Sequence, residues 1–367
     1  MILTLDQCRR RYLAGFAASG LFLAACGGGG SDSALSNLTA LATTSIWADV
    51  TSNALCGAPV ESIIPLGADP HSWEPSIRVP EDIAAADLLV RNGLFLEEGL
   101  LATLDAVDES VTPVVSIATL IASGEEDDHV DHDDHDDEAD HADHDDEADH
   151  DDHDDEADHA DHDDEADHDD HDDHADHDDE ADHDDHDDHH HSGPDPHLWM
   201  DPTFVAEAAT LIADAAVEAG WPESVKDCAA DYSGQLAALD EEIASQVSVV
   251  DAGDRVLVTN HDAFGRFAER YGFTVLGTIL PSMSTLAEAN PADLTALAEE
   301  ILAAGVSTIF YDLQSSSVDA ESLAERLDGV EVAALLTGSL VEDPEVGADY
   351  ITMMQTNVQR ILSAIGG

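Results

Sequence analysis

A chain of 367 residues has room for two lobes, and its charge is lopsided: 83 acidic residues stand against 11 basic ones, a formal net charge of −72 at pH 7. Such a polyanion repels phosphate backbones, which excludes nucleic acid as a partner, and no glycine-rich loop of the kind that cradles nucleotide phosphates is present. A surface this acidic suits high salt, where its self-repulsion is screened.

The amino terminus carries an address. Arg9, Arg10 and Arg11 precede an apolar run that ends in Leu23-Ala24-Ala25-Cys26, with glycine at 27–30. The run is too short to span a membrane as a mature helix and reads as an export signal over residues 1–26. Its ending resembles a lipobox, in which Cys26 becomes the lipidated first residue, so residues 27–37 are expected to be a flexible linker. The arginines also resemble a twin-arginine signal, and the choice between the two export routes stays open. Of four cysteines, Cys56 and Cys228 then remain in the mature folded part. Whether they pair is not decided by sequence.

Residues 38–48 form an apolar, Thr-rich run suited to a strand, and 49–55 read as a short helix. A second strand over 60–65 runs into Gly67-Ala68-Asp69-Pro70-His71-Ser72-Trp73-Glu74-Pro75, a loop at the carboxyl end of a strand, where open α/β sheets place their ligands. A helix is expected over 81–86, a buried strand over 88–91, a helix over 94–104 and a strand over 114–116. This alternation predicts a parallel sheet in a first α/β lobe, residues 38–221.

That lobe is interrupted by residues 125–192, which hold 18 of the 21 histidines and 40 of the 83 acidic residues. Glu-Ala-Asp-His recurs from Glu138, Glu147, Glu156 and Glu165, and histidines stand three apart at His168, His171, His174 and His177. With nothing to form a core, the segment is expected to be disordered. Imidazoles interleaved with carboxylates make many weak sites for divalent transition metals. Each ligand set must be ordered at the moment of binding, so the segment is a collector and a tighter site is expected elsewhere.

Beyond it, Asp195-Pro196-His197-Leu198-Trp199-Met200-Asp201-Pro202 repeats the Asp-Pro-His frame. Helices are expected over 203–219 and 223–250; the second, with Leu236, Leu239, Ile243 and Val247 in helical register, reads as a linking helix in residues 222–250, about 42 Å long. A second lobe, residues 251–367, follows with strands over 255–259, 274–280, 308–311 and 332–335 and helices over 264–271, 291–304, 320–327 and 349–365. The strand at 255–259 ends in Asn260-His261-Asp262-Ala263-Phe264. The fold class is therefore α/β, with two similar parallel-sheet lobes joined by one long helix and a site in the cleft between them.

His71, His197 and His261 are the histidines left outside the acidic segment, and each sits in a loop or at a strand end. Three imidazoles converging in a cleft suffice for tetrahedral zinc. Carboxylates such as Asp69 or Asp262 are candidates to hold the second ring nitrogens. Neither Cys56 nor Cys228 has a cysteine neighbour at metal-binding spacing, which argues against a thiolate site.

Taken in order, Gly-Ala-Asp-Pro-His71-Ser-Trp-Glu-Pro, the His-rich acidic segment, Asp-Pro-His197-Leu-Trp-Met-Asp-Pro and Asn-His261-Asp-Ala-Phe-Gly with Arg270-Tyr271-Gly272 resemble the zinc- and manganese-binding lipoproteins that serve metal ABC importers. The resemblance covers about residue 38 to the carboxyl terminus. It implies two α/β lobes around a metal, His71, His197 and His261 as ligands, Zn2+ as the transported ion with Mn2+ the lesser ligand, a permease and ATPase as partners, no enzymatic activity, and a monomer anchored by lipid on the outer face of the cytoplasmic membrane. Histidine at the third position is what the zinc members show, since oxygen ligands suit the harder manganese ion. One departure stands out: where relatives place a carboxylate in a segment like Thr-Asp-Ser-Leu, this chain has Thr337-Gly338-Ser339-Leu340. The fourth position then falls to water, with Asp312 as a substitute. Alternative readings are a surface zinc buffer or metal-dependent adhesin without a transporter, and a three-histidine zinc hydrolase.

Overall fold

Short strands alternate with helices to build the first lobe on a four-stranded parallel sheet. In the computed structural model, which describes residues 38–120 and 193–366, these are β1 (Ala40–Ala42), α1 (Ser45–Ala54), β2 (Val60–Ser62), α2 (Val79–Ala85), β3 (Leu88–Arg91), α3 (Leu101–Leu104) and β4 (Val114–Ser116). The strand order is β2-β1-β3-β4, every neighbour parallel. Leu88, Leu89 and Val90 are wholly buried, as a central strand covered on both faces requires.

Two local departures from the expected pattern shape the site. The Thr-rich run does not continue as a strand to residue 48, because the Thr44 side chain accepts a hydrogen bond from the Trp47 amide and starts α1 there; a threonine hydroxyl satisfies a free helix-end donor and favours this position. The helix expected over 94–104 is reduced to a single 3-10 turn, Glu98–Leu100, and the four residues of α3. Leu94 and Phe95 have φ of 55° and 62°, left-handed values that no right-handed helix admits.

After the second Asp-Pro-His frame come α4 (Pro202–Glu218) and α5 (Val225–Val247). Asp201 caps α4 by accepting from the Thr203 amide, with Pro202 at its first position. The 23 residues of α5 span about 35 Å, less than the 28-residue reading. Its buried stripe of Val225, Ala229, Tyr232, Leu236, Leu239, Ile243 and Val247 follows helical spacing. The helix packs against α1 and α4 of the first lobe and against α6 and α9 of the second. A disulfide, Cys56–Cys228, ties the end of α1 to the first turn of α5 across a Cα–Cα distance of 5.3 Å.

The second lobe comprises β5 (Val256–Thr259), α6 (Gly265–Tyr271), β6 (Thr274–Thr278), α7 (Pro291–Ala304), β7 (Thr308–Asp312), α8 (Val318–Ala324), β8 (Glu331–Leu335) and α9 (Tyr350–Ile365). Its strands pair as two parallel ribbons, β5 with β6 and β7 with β8, so the lobes share element content but not sheet width. Gly272 ends α6 in the left-handed conformation, φ 69°.

The lobes are stitched together around one continuous core that includes Trp47, Trp199, Leu236, Phe264 and Tyr350. Leu340 N–H donates to Ser45 Oγ at 2.9 Å, Gly67 N–H to Ser339 Oγ at 2.8 Å, Trp199 Nε1–H to the Thr337 carbonyl at 2.7 Å and the Tyr350 hydroxyl to the Trp199 carbonyl at 2.6 Å. The signal sequence with Cys26, the linker and the His/Asp-rich segment lie outside the described residues. Among the described residues, no helix is long and apolar enough to cross a membrane.

Candidate metal centre

The two Asp-Pro-His frames fold alike. Asp69 Oδ1 accepts the His71 amide at 3.0 Å, and Asp195 Oδ1 accepts the His197 amide at 2.9 Å; in each, the aspartate side chain closes a turn that points the histidine inward. Asn92 anchors the second frame by donating from Nδ2 to the Pro196 carbonyl at 2.8 Å. Asn92 is itself fixed by Trp47 Nε1–H at 2.9 Å and by its amide donating to Glu97 at 2.8 Å. His261 stands just past β5, where the Thr259 hydroxyl donates to its carbonyl at 2.9 Å.

These three positions bring the predicted histidines together. All three are buried, and the Nε2 atoms of His71 and His261 lie 3.4 Å and 3.2 Å from His197 Nε2. An ion held tetrahedrally about 2.0–2.1 Å from each nitrogen needs ligand atoms roughly 3.3–3.4 Å apart, close to both spacings from His197. Among the described residues, no other trio of His, Cys, Asp or Glu converges in this way.

The groups behind the rings differ from the expected ones. Asp195 Oδ1 lies 2.8 Å from His197 Nδ1, Asp312 Oδ2 lies 2.6 Å from His261 Nδ1 but off the line of its N–H bond, and Glu98 Oε1 lies 3.5 Å from His71 Nδ1 without hydrogen bonding to it. Asp69 is instead occupied with the His71 amide, the Ser72 hydroxyl and the Thr285 hydroxyl. Asp262 uses its amide to hold the Ser282 carbonyl. Asp312, expected as a substitute fourth ligand, thus has its Oδ2 engaged behind the His261 ring. Glu98 also accepts from the Ser284 hydroxyl of the second lobe.

Electrostatics follow this arrangement. Burial, reinforced by the neighbouring His197 and His261, pushes the His71 pKa down to about 2, so this ring is neutral throughout the physiological range. Burial also lowers that of His261, but the charge of Asp312 beside the ring outweighs it and the net shift is upward. Asp312 and Asp195 are each raised by burial and brought below the usual carboxylate range by their histidine partners. With His71, His197, His261, Asp312, Thr337 and Gly338 among its walls, the cavity measures about 10 Å³, the size of one water or one ion.

Set against known protein families, residues 41–364 match ZnuA, zinc-uptake complex component A, periplasmic, a span that takes in both lobes and all three histidines. The chain belongs to the ZnuA family. It is 25% identical over 311 residues to the zinc-binding lipoprotein AdcA of Streptococcus pneumoniae, covering 83% of this chain and 51% of AdcA; the chain therefore spans about half the length of that relative. It is 23% identical over 353 residues to the manganese ABC transporter substrate-binding lipoprotein PsaA of Streptococcus mitis, covering 94% of this chain and 95% of PsaA. The periplasmic zinc-binding protein TroA of Treponema pallidum superposes with a TM-score of 0.66 at 21% identity, covering 89% of this chain and 99% of TroA, which shows the two-lobed fold. Within this ZnuA-family chain, the motif-borne histidines were legible from sequence, while Asp195 and Glu98 were missed. The Asp of the second frame was a usable signal for Asp195. Glu98 had none, because it reaches the site through a backbone turn that hydrophobic spacing reads as helix.

Proposed function

We propose that this protein is an extracytoplasmic carrier that captures Zn2+ with His71, His197 and His261 and delivers it to the permease of an ABC-type importer. The observation that carries the reading is the trio of buried imidazoles, with the Nε2 atoms of His71 and His261 at 3.4 and 3.2 Å from that of His197, a spacing and donor set that fit a tetrahedral, nitrogen-preferring ion. Carboxylates behind the rings orient them for binding: Asp195 for His197 and Asp312 for His261. Because His71 and His197 come from one lobe and His261 from the other, the ion is gripped at their seam and release requires the grip to open. The ZnuA-family match supports a binding protein rather than an enzyme, and favours import over a surface buffer or adhesin.

In this reading Cys26 carries the lipid that holds the protein at the outer face of the cytoplasmic membrane, and residues 125–192 collect metal at low affinity around the tight site. Competition titration with Zn2+ and Mn2+ tests it, using protein from Gly27 onward, with and without residues 125–192, and with His261→Ala. One tight equivalent that prefers zinc, survives removal of the segment and weakens at least a hundredfold in His261→Ala is expected. Loss of all tight binding with the segment would reduce the three histidines to structural residues.

A further inference from the structure

The backbone on either side of His261 is bonded to the segment that follows β6: Leu280 N–H donates to the Asn260 carbonyl at 2.8 Å and Asp262 N–H to the Ser282 carbonyl at 2.9 Å. Serine hydroxyls close the turns beyond, Ser282 Oγ accepting the Ser284 amide at 3.0 Å and Ser284 Oγ the Leu286 amide at 3.2 Å. Residues 280–286 therefore form one piece with His261.

That piece reaches across to the first lobe through two hydroxyls. Thr285 Oγ1–H donates to Asp69 Oδ2 at 2.5 Å, and Ser284 Oγ–H donates to Glu98 Oε1. Both acceptors flank His71: Asp69 closes its turn through Oδ1, and Glu98 Oε1 lies 3.5 Å from its Nδ1. Gly99 seats the Glu98 turn directly against the Trp73 carbonyl, with no room for a Cβ, so Glu98 and the His71 frame are likewise one piece. The cross-lobe bonds of Ser45, Trp199 and Tyr350 are buried. Ser284 and Thr285 are only half-buried, and water can take the place of each of their bonds once the lobes part.

We propose that Ser284 and Thr285 form a latch that closes the second lobe over His71 and sets how long the bound ion is held. Bonds made only when the lobes are together slow their separation and leave the encounter with the ion largely untouched, so the latch acts on dissociation rather than association. This rests on the zinc-carrier reading above and adds to it a kinetic role for residues outside the ligand set.

Zinc release into excess chelator, followed by stopped flow, and zinc uptake are timed for wild type, Ser284→Ala, Thr285→Val, the double variant and Ser72→Ala, with thermal unfolding of each metal-free protein to confirm folding. Ser72 Oγ–H donates to the same Asp69 Oδ2 at 2.9 Å from within the first lobe, so Ser72→Ala removes a bond to that carboxylate without touching the latch. Each latch variant is expected to release zinc about tenfold faster, the size of one lost hydrogen bond to a charged group, and the double variant faster than either, with uptake within about threefold of wild type and Ser72→Ala raising release less than about threefold. Release at the wild-type rate in the double variant would overturn the proposal. So would Ser72→Ala matching Thr285→Val, which would make the effect one of Asp69 orientation, or a loss of affinity carried by slower uptake. A wild type with no tight zinc to release would instead defeat the carrier reading.

Discussion

Asp49 on α1 reaches across the lobe seam and accepts the Tyr350 amide at 3.0 Å, at the first turn of α9. Burial raises its pKa from 3.8 to about 6, against the opposing Tyr350 hydrogen bond and with help from the Asp349 charge. An acid with a raised folded-state pKa binds a proton more readily when folded than when unfolded. Stability therefore falls as pH climbs from about 4 to about 6 and levels off above, where the ionised carboxylate is a standing cost. Two pKa units correspond to about 3 kcal/mol, and partial solvent access reduces this to about 1–2 kcal/mol. Asp49→Asn keeps an acceptor for the Tyr350 amide and removes the charge. It is expected to be about 1–2 kcal/mol more stable than wild type at pH 7.5, with the advantage shrinking towards zero by pH 4. Urea unfolding of metal-free protein at several pH values reads this as the difference between the two curves. A difference that is flat across pH 4–7.5, or a variant less stable at pH 7.5, would refute the reasoning.

Asp195→Asn is expected to weaken zinc about 10- to 100-fold, the usual cost of losing a group that orients a ligand ring, in a competition titration that leaves the melting temperature of the metal-free protein nearly unchanged. Zinc affinity should fall as pH drops through the raised pKa of His261, while His71, held near 2, contributes no proton release; calorimetry in buffers of different ionisation enthalpy counts the protons. Replacing Cys56 and Cys228 together by serine should cost about 3–5 kcal/mol, since the bridge closes a loop of 172 residues, and denaturant midpoints measure it. Deleting residues 125–192 should remove the weak zinc equivalents and leave the tight one within about threefold, as equilibrium dialysis across a zinc series would report.

Much of this architecture was legible because buried parallel strands announce themselves. Residues 88–91 and 114–116 read as strands and are β3 and β4, and Pro291 with Asn290 before it marks the start of α7. The three histidines stood out because two sit in repeated Asp-Pro-His frames and the third, His261, ends a strand. What escaped was decided by contacts between residues far apart in the chain. Thr44 read as part of a strand over 38–48, but its hydroxyl caps α1 by accepting the amide of Trp47, which is wholly buried. Asp312, 51 residues beyond His261, stands behind that ring only because β7 carries it there. Asp69 was a reasonable partner for a ring nitrogen by proximity in sequence, yet its Oδ1 accepts the His71 amide and its Oδ2 accepts the Ser72 and Thr285 hydroxyls. The division of the second lobe into two ribbons likewise depends on pairing, which periodicity does not encode.

The Cys56–Cys228 bridge also bears on when the protein matures. Such bonds persist in oxidising surroundings and are rare among reduced cytosolic proteins. A copy retained in the cytosol would have α1 and α5 held by packing alone, and would open more often to proteases. On the extracytoplasmic reading proposed above, delivery outside the cytoplasm would complete the chain covalently as well as place it. Molecules that never left a reducing cytosol would stay the less durable ones, so the bridge would separate exported copies from retained ones.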